Sequence, residues 1–186
     1  MLRLLLIFFA MTSMAYAQQV RIDSLKSSLT TATTPEEKIS LLRTIGFTFF
    51  DAQVYYDSAY YYARKGYNLA KDNELVLQQA QTLFDLAWIH ASLEEYDKAL
   101  AYYEQSSEFS KKGDIKRGLS SAYNNIGAIY VELKQYTPAK KYYRLSLDLA
   151  EEIADKESIA VAHLNLGEIS FFEGDLETSK SKIELS

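Results

Sequence analysis

Cysteine is missing from all 186 residues. Its absence excludes disulfides, thiolate metal sites, a cysteine nucleophile and a bacterial lipoprotein anchor. Glycine and proline are scarce as well, at 7 and 2 residues. An all-β domain needs these residues at its many turns, so their scarcity beside 48% hydrophobic residues points to helices. Positive charge is in deficit: the formal net charge is -5 and the sequence pI about 5.1. That balance opposes the phosphate neutralisation on which nucleic-acid affinity depends, and no direct nucleic-acid partner is expected. Long apolar runs are absent too. The run Leu4 to Met11 has eight residues, well short of the roughly 20 that span a bilayer.

That short run has a different meaning in its context. Met1-Leu2-Arg3 is a brief basic start, and Ala15-Tyr16-Ala17 fits a small-x-small cleavage site. Residues 1–17 are therefore expected to be a secretory signal peptide, with an uncleaved anchor as the alternative, and the chain to work outside the cytoplasm. Cleavage after Ala17 removes one cation and leaves 19 Lys+Arg against 25 Asp+Glu, a net charge of -6.

The remainder is periodic. Tyr96-Asp97-Lys98-Ala99 aligns with Tyr136-Thr137-Pro138-Ala139 at a spacing of 40, and the frame reaches back to Tyr56-Asp57-Ser58-Ala59 and forward to Leu176-Glu177-Thr178-Ser179. Upstream in each unit stand Ile45-Gly46, Leu86-Ala87, Ile126-Gly127 and Leu166-Gly167, with one extra residue between the halves of the first unit. Tyr123, Ile126, Gly127 and Tyr130 share one helical face, and Tyr136, Ala139, Tyr143 and Leu147 share another, so each unit reads as two helices joined by a short turn. Pro138 sits where a missing N–H has no intrahelical partner and opens its helix. Lys111-Lys112-Gly113 is expected to close one helix, with Gly113 taking a positive φ and Asp114 capping the next. Gln18 to Ala32, with Val20, Ile22, Leu25 and Leu29, forms a leading helix, and Thr34-Pro35-Glu36-Glu37 caps the helix after it. The domain plan is thus a signal peptide over 1–17, a leading helix and linker over 18–34, and a repeat domain of about four hairpins over 35–186, the last incomplete.

This pattern resembles the tetratricopeptide repeat family, whose unit carries a bulky residue, then Leu-Gly, then Tyr in one helix, and Ala followed by an aromatic in the next. Tyr123, Ile126-Gly127, Tyr130, Ala139 and Tyr143 hold those places, as do Leu83, Leu86-Ala87, His90, Ala99 and Tyr103 one unit earlier. The resemblance implies an all-α fold, a right-handed superhelical solenoid of antiparallel hairpins. It departs from the family's usual unit of about 34 residues in being 40 long. Some family members grip a terminal carboxylate with a basic and asparagine clamp. Phe47 and Trp88 stand where that clamp needs asparagine, and Arg43 is the one basic residue, so this specificity is not expected to carry over.

Chemistry is hard to place on such a chain. His90 and His163 both occupy repeat positions and read as packing residues, and no carboxylate stands at a metal-ligand spacing from either. Glu36-Glu37, Glu94-Glu95 and Glu151-Glu152 fall at caps or outer faces. Nucleotide-binding, esterase, metalloprotease and EF-hand signatures are all absent. No catalytic residue, metal or cofactor is expected, and the chain does not read as an enzyme.

What remains is the concave surface that stacked hairpins make from their first helices. Its expected lining is Arg43, Phe47 and Phe50, then Gln81, Phe84, Asp85 and Trp88, then Asn124 and Asn125, then Asn165 and Glu168. Thr44, Asp85, Asn125 and Asn165 form a polar ladder suited to a ligand backbone, with Trp88 as the aromatic anchor. The alternative is that Trp88 packs on a neighbouring hairpin and the asparagines tie adjacent helices. The leader, the stretch Asp23 to Phe50 and the long repeats together resemble exported sensor regions of bacterial membrane-bound histidine kinases and helix-turn-helix regulators. In that family a membrane span and a cytoplasmic output module follow the repeats. The resemblance implies a periplasmic module that takes a protein or peptide ligand and meets a membrane only through a further C-terminal segment. A freestanding envelope assembly scaffold is the alternative.

Overall fold

The computed structural model describes residues 2–51, 55–172 and 174 of the chain. They form α1 (Leu2–Thr31), α2 (Pro35–Asp51), α3 (Tyr56–Asp72), α4 (Val76–Ser92), α5 (Tyr96–Lys112), α6 (Lys116–Glu132), α7 (Tyr136–Glu152) and α8 (Lys156–Phe172), with no strand among the described residues. The expected all-α solenoid of helical hairpins is present. Helices α2 to α8 each have 17 residues. From α4 onward they begin every 20 residues, which doubles to the hairpin period of 40. The second half of the fourth repeat, Leu176 to Ser179, and the expected incomplete end at Ser186 lie outside the described residues. Among the described residues no helix is long and apolar enough to cross a membrane.

Two compact units make up the chain, residues 1–73 and 74–186. In the first, α2 pairs with α3 and also packs against α1, where Ile22 is buried and the Gln18 amide donates to the Thr48 carbonyl at 2.6 Å. Thr34 and Glu37 close the expected capping box. The Glu37 N–H donates to Thr34 Oγ1 at 3.2 Å, and Glu37 Oε2 accepts from the Thr34 N–H at 3.4 Å and the Thr33 N–H at 3.1 Å. Those backbone donors hold the Glu37 carboxyl below its ordinary range. In the second unit, α4 pairs with α5 and α6 with α7, α5 packs on α6 and α7 on α8, and α6 also touches both α4 and α8. Helices α4, α6 and α8 therefore lie side by side.

Small residues set the spacing inside each hairpin. Ala59, Ala99 and Ala139 are all fully buried at the same repeat position. Ser106 donates to the Ala80 carbonyl at 2.8 Å, and its counterpart Ser146 donates to the Ser120 carbonyl at 2.9 Å. A hydroxyl reaches the facing backbone only where two helices approach closely, so these bonds mark such an approach in each of the two hairpins. Around them Leu42, Ile45, Leu83, Leu86, Ile126 and Ile169 are fully buried, each stabilising the fold by roughly 1.5 to 3 kcal/mol against exposure.

The turns correct one expectation. Gly113 has φ -92, and the residue with positive φ is Asp114 at 52. Glu74, Glu94, Lys134 and Ala154 share this left-handed conformation at 20-residue steps. The cause is backbone hydrogen bonding. The Glu95, Ile115, Gln135 and Asp155 N–H groups reach back to the carbonyls of His90, Ser110, Tyr130 and Ala150, and the N–H groups of Glu94, Asp114, Lys134 and Ala154 reach those of Ala91, Lys111, Val131 and Glu151. This paired 6→1 and 5→2 closure requires the intervening residue to turn left-handed. Asp114 is thus the turn residue, and Ile115 is the N-cap of α6 with no side-chain cap bond. Each N-cap carbonyl in turn accepts the first bond of the following helix, as in Ala99 N–H to Glu95 at 3.0 Å.

Candidate functional site

The residues expected to line one surface divide between the two compact units. Arg43, Phe47 and Phe50 stand half-buried on α2, where Phe50 packs edge-on against Tyr56 at 5.6 Å. The other eight stand on α4, α6 and α8. Trp88 is 41% exposed, and Glu168 is exposed as well. Gln81, Phe84, Asn124, Asn125 and Asn165 are half-buried, and Asp85 is buried at 4%. Phe84 also belongs to the core, meeting the Tyr103 ring edge-on at 5.2 Å. Exposed apolar residues that extend this face are Leu164 and Phe171 on α8.

The polar ladder behaves differently from its sequence reading. Asn165 Nδ2 donates to Asn124 Oδ1 at 2.8 Å and so ties α8 to α6. Asn125 Nδ2 donates to the Ser121 carbonyl at 2.8 Å, and Thr44 Oγ1 to the Ser40 carbonyl at 2.9 Å, both one turn back on their own helices. Donors expected to face a ligand backbone are therefore engaged within the fold. The ladder organises the face, and contact with a ligand falls to the groups that stand out from it.

Three aromatic stacks recur at one repeat position. Phe49 stacks on Tyr62 (5.6 Å, 11°), His90 on Tyr102 (5.3 Å, 8°) and Tyr130 on Tyr142 (5.6 Å, 17°). His90 is thus a packing residue, as its alignment with Tyr130 suggests. Sequence reasoning missed its other partner. Glu95 Oε2 lies 2.5 Å from His90 Nδ1, while Glu95 Oε1 accepts from Lys98 at 2.9 Å. The bond from Lys98, and then that from His90, holds the Glu95 carboxyl below its usual range. The five-residue interval from His90 to Glu95 carries the signal, because the turn brings these two positions together, as it does Tyr130 and Gln135 in the next hairpin. Among the described residues no three potential ligands gather to hold a metal ion.

A layer of first helices backed by second helices at a fixed repeat defines a helical-hairpin repeat protein. Tetratricopeptide repeat models match residues 80–112 and 118–181, together just over half of the 186 residues. The chain belongs to the tetratricopeptide repeat family, whose members are protein-interaction modules. No curated protein sequence matches it.

Solved structures share the fold at low identity. BtubC (BKLC) from P. vanneervenii is 17% identical with a TM-score of 0.77, over 90% of this chain and 71% of that one. Aspartyl phosphate phosphatase F from Bacillus subtilis is 16% identical with a TM-score of 0.79, over 90% and 47%. A Rap protein complexed with competence and sporulation factor is 19% identical with a TM-score of 0.77, over 90% and 48%. The chain spans just under half the length of the last two.

Proposed function

We propose that this chain is the exported, ligand-receiving part of a bacterial envelope signalling protein, a non-enzymatic module that takes a protein or peptide along the face of α4, α6 and α8. The observation that carries the binding reading is the exposure of Trp88 on α4 and of Leu164, Glu168 and Phe171 on α8, the two helices that flank α6 in one compact unit, over a floor tied by the Asn165–Asn124 bond. Large aromatic groups exposed on a packed scaffold carry a disproportionate share of binding energy. A Rap protein, similar in fold, has been seen complexed with competence and sporulation factor, which supports a partner of that general kind. Export rests on the leader-like Met1 to Ala17, and the sensory role on the resemblance of the leader and long repeats to exported sensor regions.

Capture from envelope extract tests the reading. Trp88→Ala should weaken partner binding by roughly 2 kcal/mol or more while helicity stays intact. Asn125→Ala should cost less than about 1 kcal/mol, because its amide already serves Ser121. Mass spectrometry of exported protein should find Gln18 at the amino terminus. Full retention of partners by folded Trp88→Ala removes the face from consideration. A partner set made only of envelope assembly proteins favours a scaffold over a sensor.

A further inference from the structure

A recess lies between α5 and α7 with α6 beneath, all within one compact unit. Its volume is about 300 Å³. The α5 wall carries Glu104 and Glu108, one helical turn apart and both exposed, and the α7 wall carries the exposed Lys141. Among the described residues none of these three makes an ion pair. Lys111 follows Glu108 by three residues, a spacing that suits a helical ion pair. Its Nζ lies instead 5.7 Å from the centre of the Tyr123 ring. The floor is aromatic: Tyr123 and Tyr142 stand 5.8 Å apart at 55°, and Tyr142 also stacks on Tyr130. Burial raises the Tyr142 phenol above its ordinary range, with Tyr130 and Glu104 assisting and Lys111 opposing.

From this arrangement we infer that the recess binds an amino acid in its zwitterionic form, with the ammonium toward Glu104 and Glu108, the carboxylate toward Lys141, and an apolar side chain on Tyr123 and Tyr142. Opposite charges on facing walls that do not reach one another leave a gap which a molecule bearing both charges fills. A singly charged molecule satisfies one wall and leaves the other unpaired. Charge-assisted bonds at both ends, over an aromatic floor, are the usual means by which a small recess fixes orientation. The site is independent of the α4, α6 and α8 face, and of export.

The test is nuclear magnetic resonance on the full chain, with L-phenylalanine as probe and N-acetyl-L-phenylalanine and L-phenylalaninamide as singly charged controls. L-phenylalanine should give saturable shifts at Tyr123, Ile126 and Tyr142, and each control should bind about tenfold more weakly or worse. The double variant Glu104→Gln, Glu108→Gln should bring the amino acid down to the level of the N-acetyl control. Lys141→Gln should bring it down to the level of the amide, and circular dichroism should show native helicity in both variants. Trp88→Ala should leave the affinity unchanged, so failure of this site and failure of the α4, α6 and α8 face are read separately. Absence of saturable shifts, equal affinity for the three probes, or shifts centred elsewhere overturns the inference.

Discussion

A methyl group on Gly127 would stand 2.7 Å from both Cδ1 and Cε1 of Tyr143. No pair of nonbonded carbons comes so close, so one of them must move. Tyr143 is only 3% exposed and is walled in by Ala139, Leu147, Ala162, Leu166 and Ile169. Displacing its ring therefore disturbs a packed cluster, and overpacking of this kind costs about 1 to 3 kcal/mol. Against it stands the intrinsic preference of a helix for alanine over glycine, about 1 kcal/mol. Gly127→Ala should therefore destabilise by about 1 kcal/mol in chemical denaturation.

A double-mutant cycle separates the two effects. Tyr143→Ala alone should cost about 3 to 5 kcal/mol through the cavity it leaves. In that background the obstacle is gone, and Gly127→Ala should turn stabilising by about 1 kcal/mol, a coupling of about 2 kcal/mol. Gly46 is the internal control. Its partner position is Ala63, and the nearest atom to a new Cβ is the Ala59 carbonyl oxygen at 3.3 Å. That contact is looser than the one at Gly127, so Gly46→Ala should cost less than Gly127→Ala and should not respond to Tyr143→Ala. The hairpin of α4 and α5 shows why the ring of Tyr143 lies where it does. Ala87 and Tyr103 are both buried there, with Phe84 edge-on against Tyr103 at 5.2 Å. The counterpart of Phe84 in the next hairpin is the smaller Asn124, and Tyr143 settles over Gly127. Equal stabilisation by Gly127→Ala with and without Tyr143 would refute this reasoning.

Three further outcomes follow from particular atoms. Among the described residues the buried Tyr103 Oη has no hydrogen-bond partner, so Tyr103→Phe should raise stability by about 1 kcal/mol, read from the denaturation midpoint, whereas a loss would reveal a partner for the hydroxyl. Lys134 and Ala154 adopt φ 58 and 52, where a side chain costs about 1 to 2 kcal/mol. Lys134→Gly and Ala154→Gly should each be neutral or stabilising by up to about 1 kcal/mol in thermal unfolding, after the entropy glycine adds to the unfolded chain. The Glu37 carboxyl is held low by the Thr33 and Thr34 backbone. A depressed folded value gives stability that is present above the unfolded value and lost as pH falls through the folded one. Wild type should therefore exceed Glu37→Gln at neutral pH and converge with it in acid, and a gap that persists below both values would contradict the capping box.

The hairpins were legible because their small and aromatic positions repeat as side chains. Ile45-Gly46, Leu86-Ala87 and Ile126-Gly127 mark one helix of each pair, and Ala59, Ala99 and Ala139 the other. The shorter period of 20 was hidden. Its marker is a left-handed residue held in turn by Glu74, Glu94, Asp114, Lys134 and Ala154. These five residues, three carboxylates, a lysine and an alanine, have no side-chain chemistry common to all, because main-chain bonds impose the conformation and the side chain only tolerates it. Gly113 misled for the same reason. Glycine next to a turn suggests positive φ, yet the bond from the Ile115 N–H to Ser110 fixes the left-handed position one residue later.

The candidate face was legible in outline and not in its bonding. The 40-residue register sets Asn125 and Asn165 at one repeat position, and register cannot say which acceptor each amide finds. An asparagine within a helix has a carbonyl one turn back within reach, and Asn125 takes it. Asn165 finds Asn124 across the helix pair instead. With its donors occupied, a polar ladder fixes the spacing of α6 and α8 more than it reads a ligand. Discrimination on this face then depends on what stands beyond the ladder, the Trp88 indole on α4 and the Glu168 carboxylate on α8. Their counterpart on α6 is Ala128, too small to obstruct whatever lies between them. A partner that uses both must therefore cross α6, and one that uses only Trp88 should be indifferent to Glu168→Gln, so the two variants together report how far along the face a ligand extends.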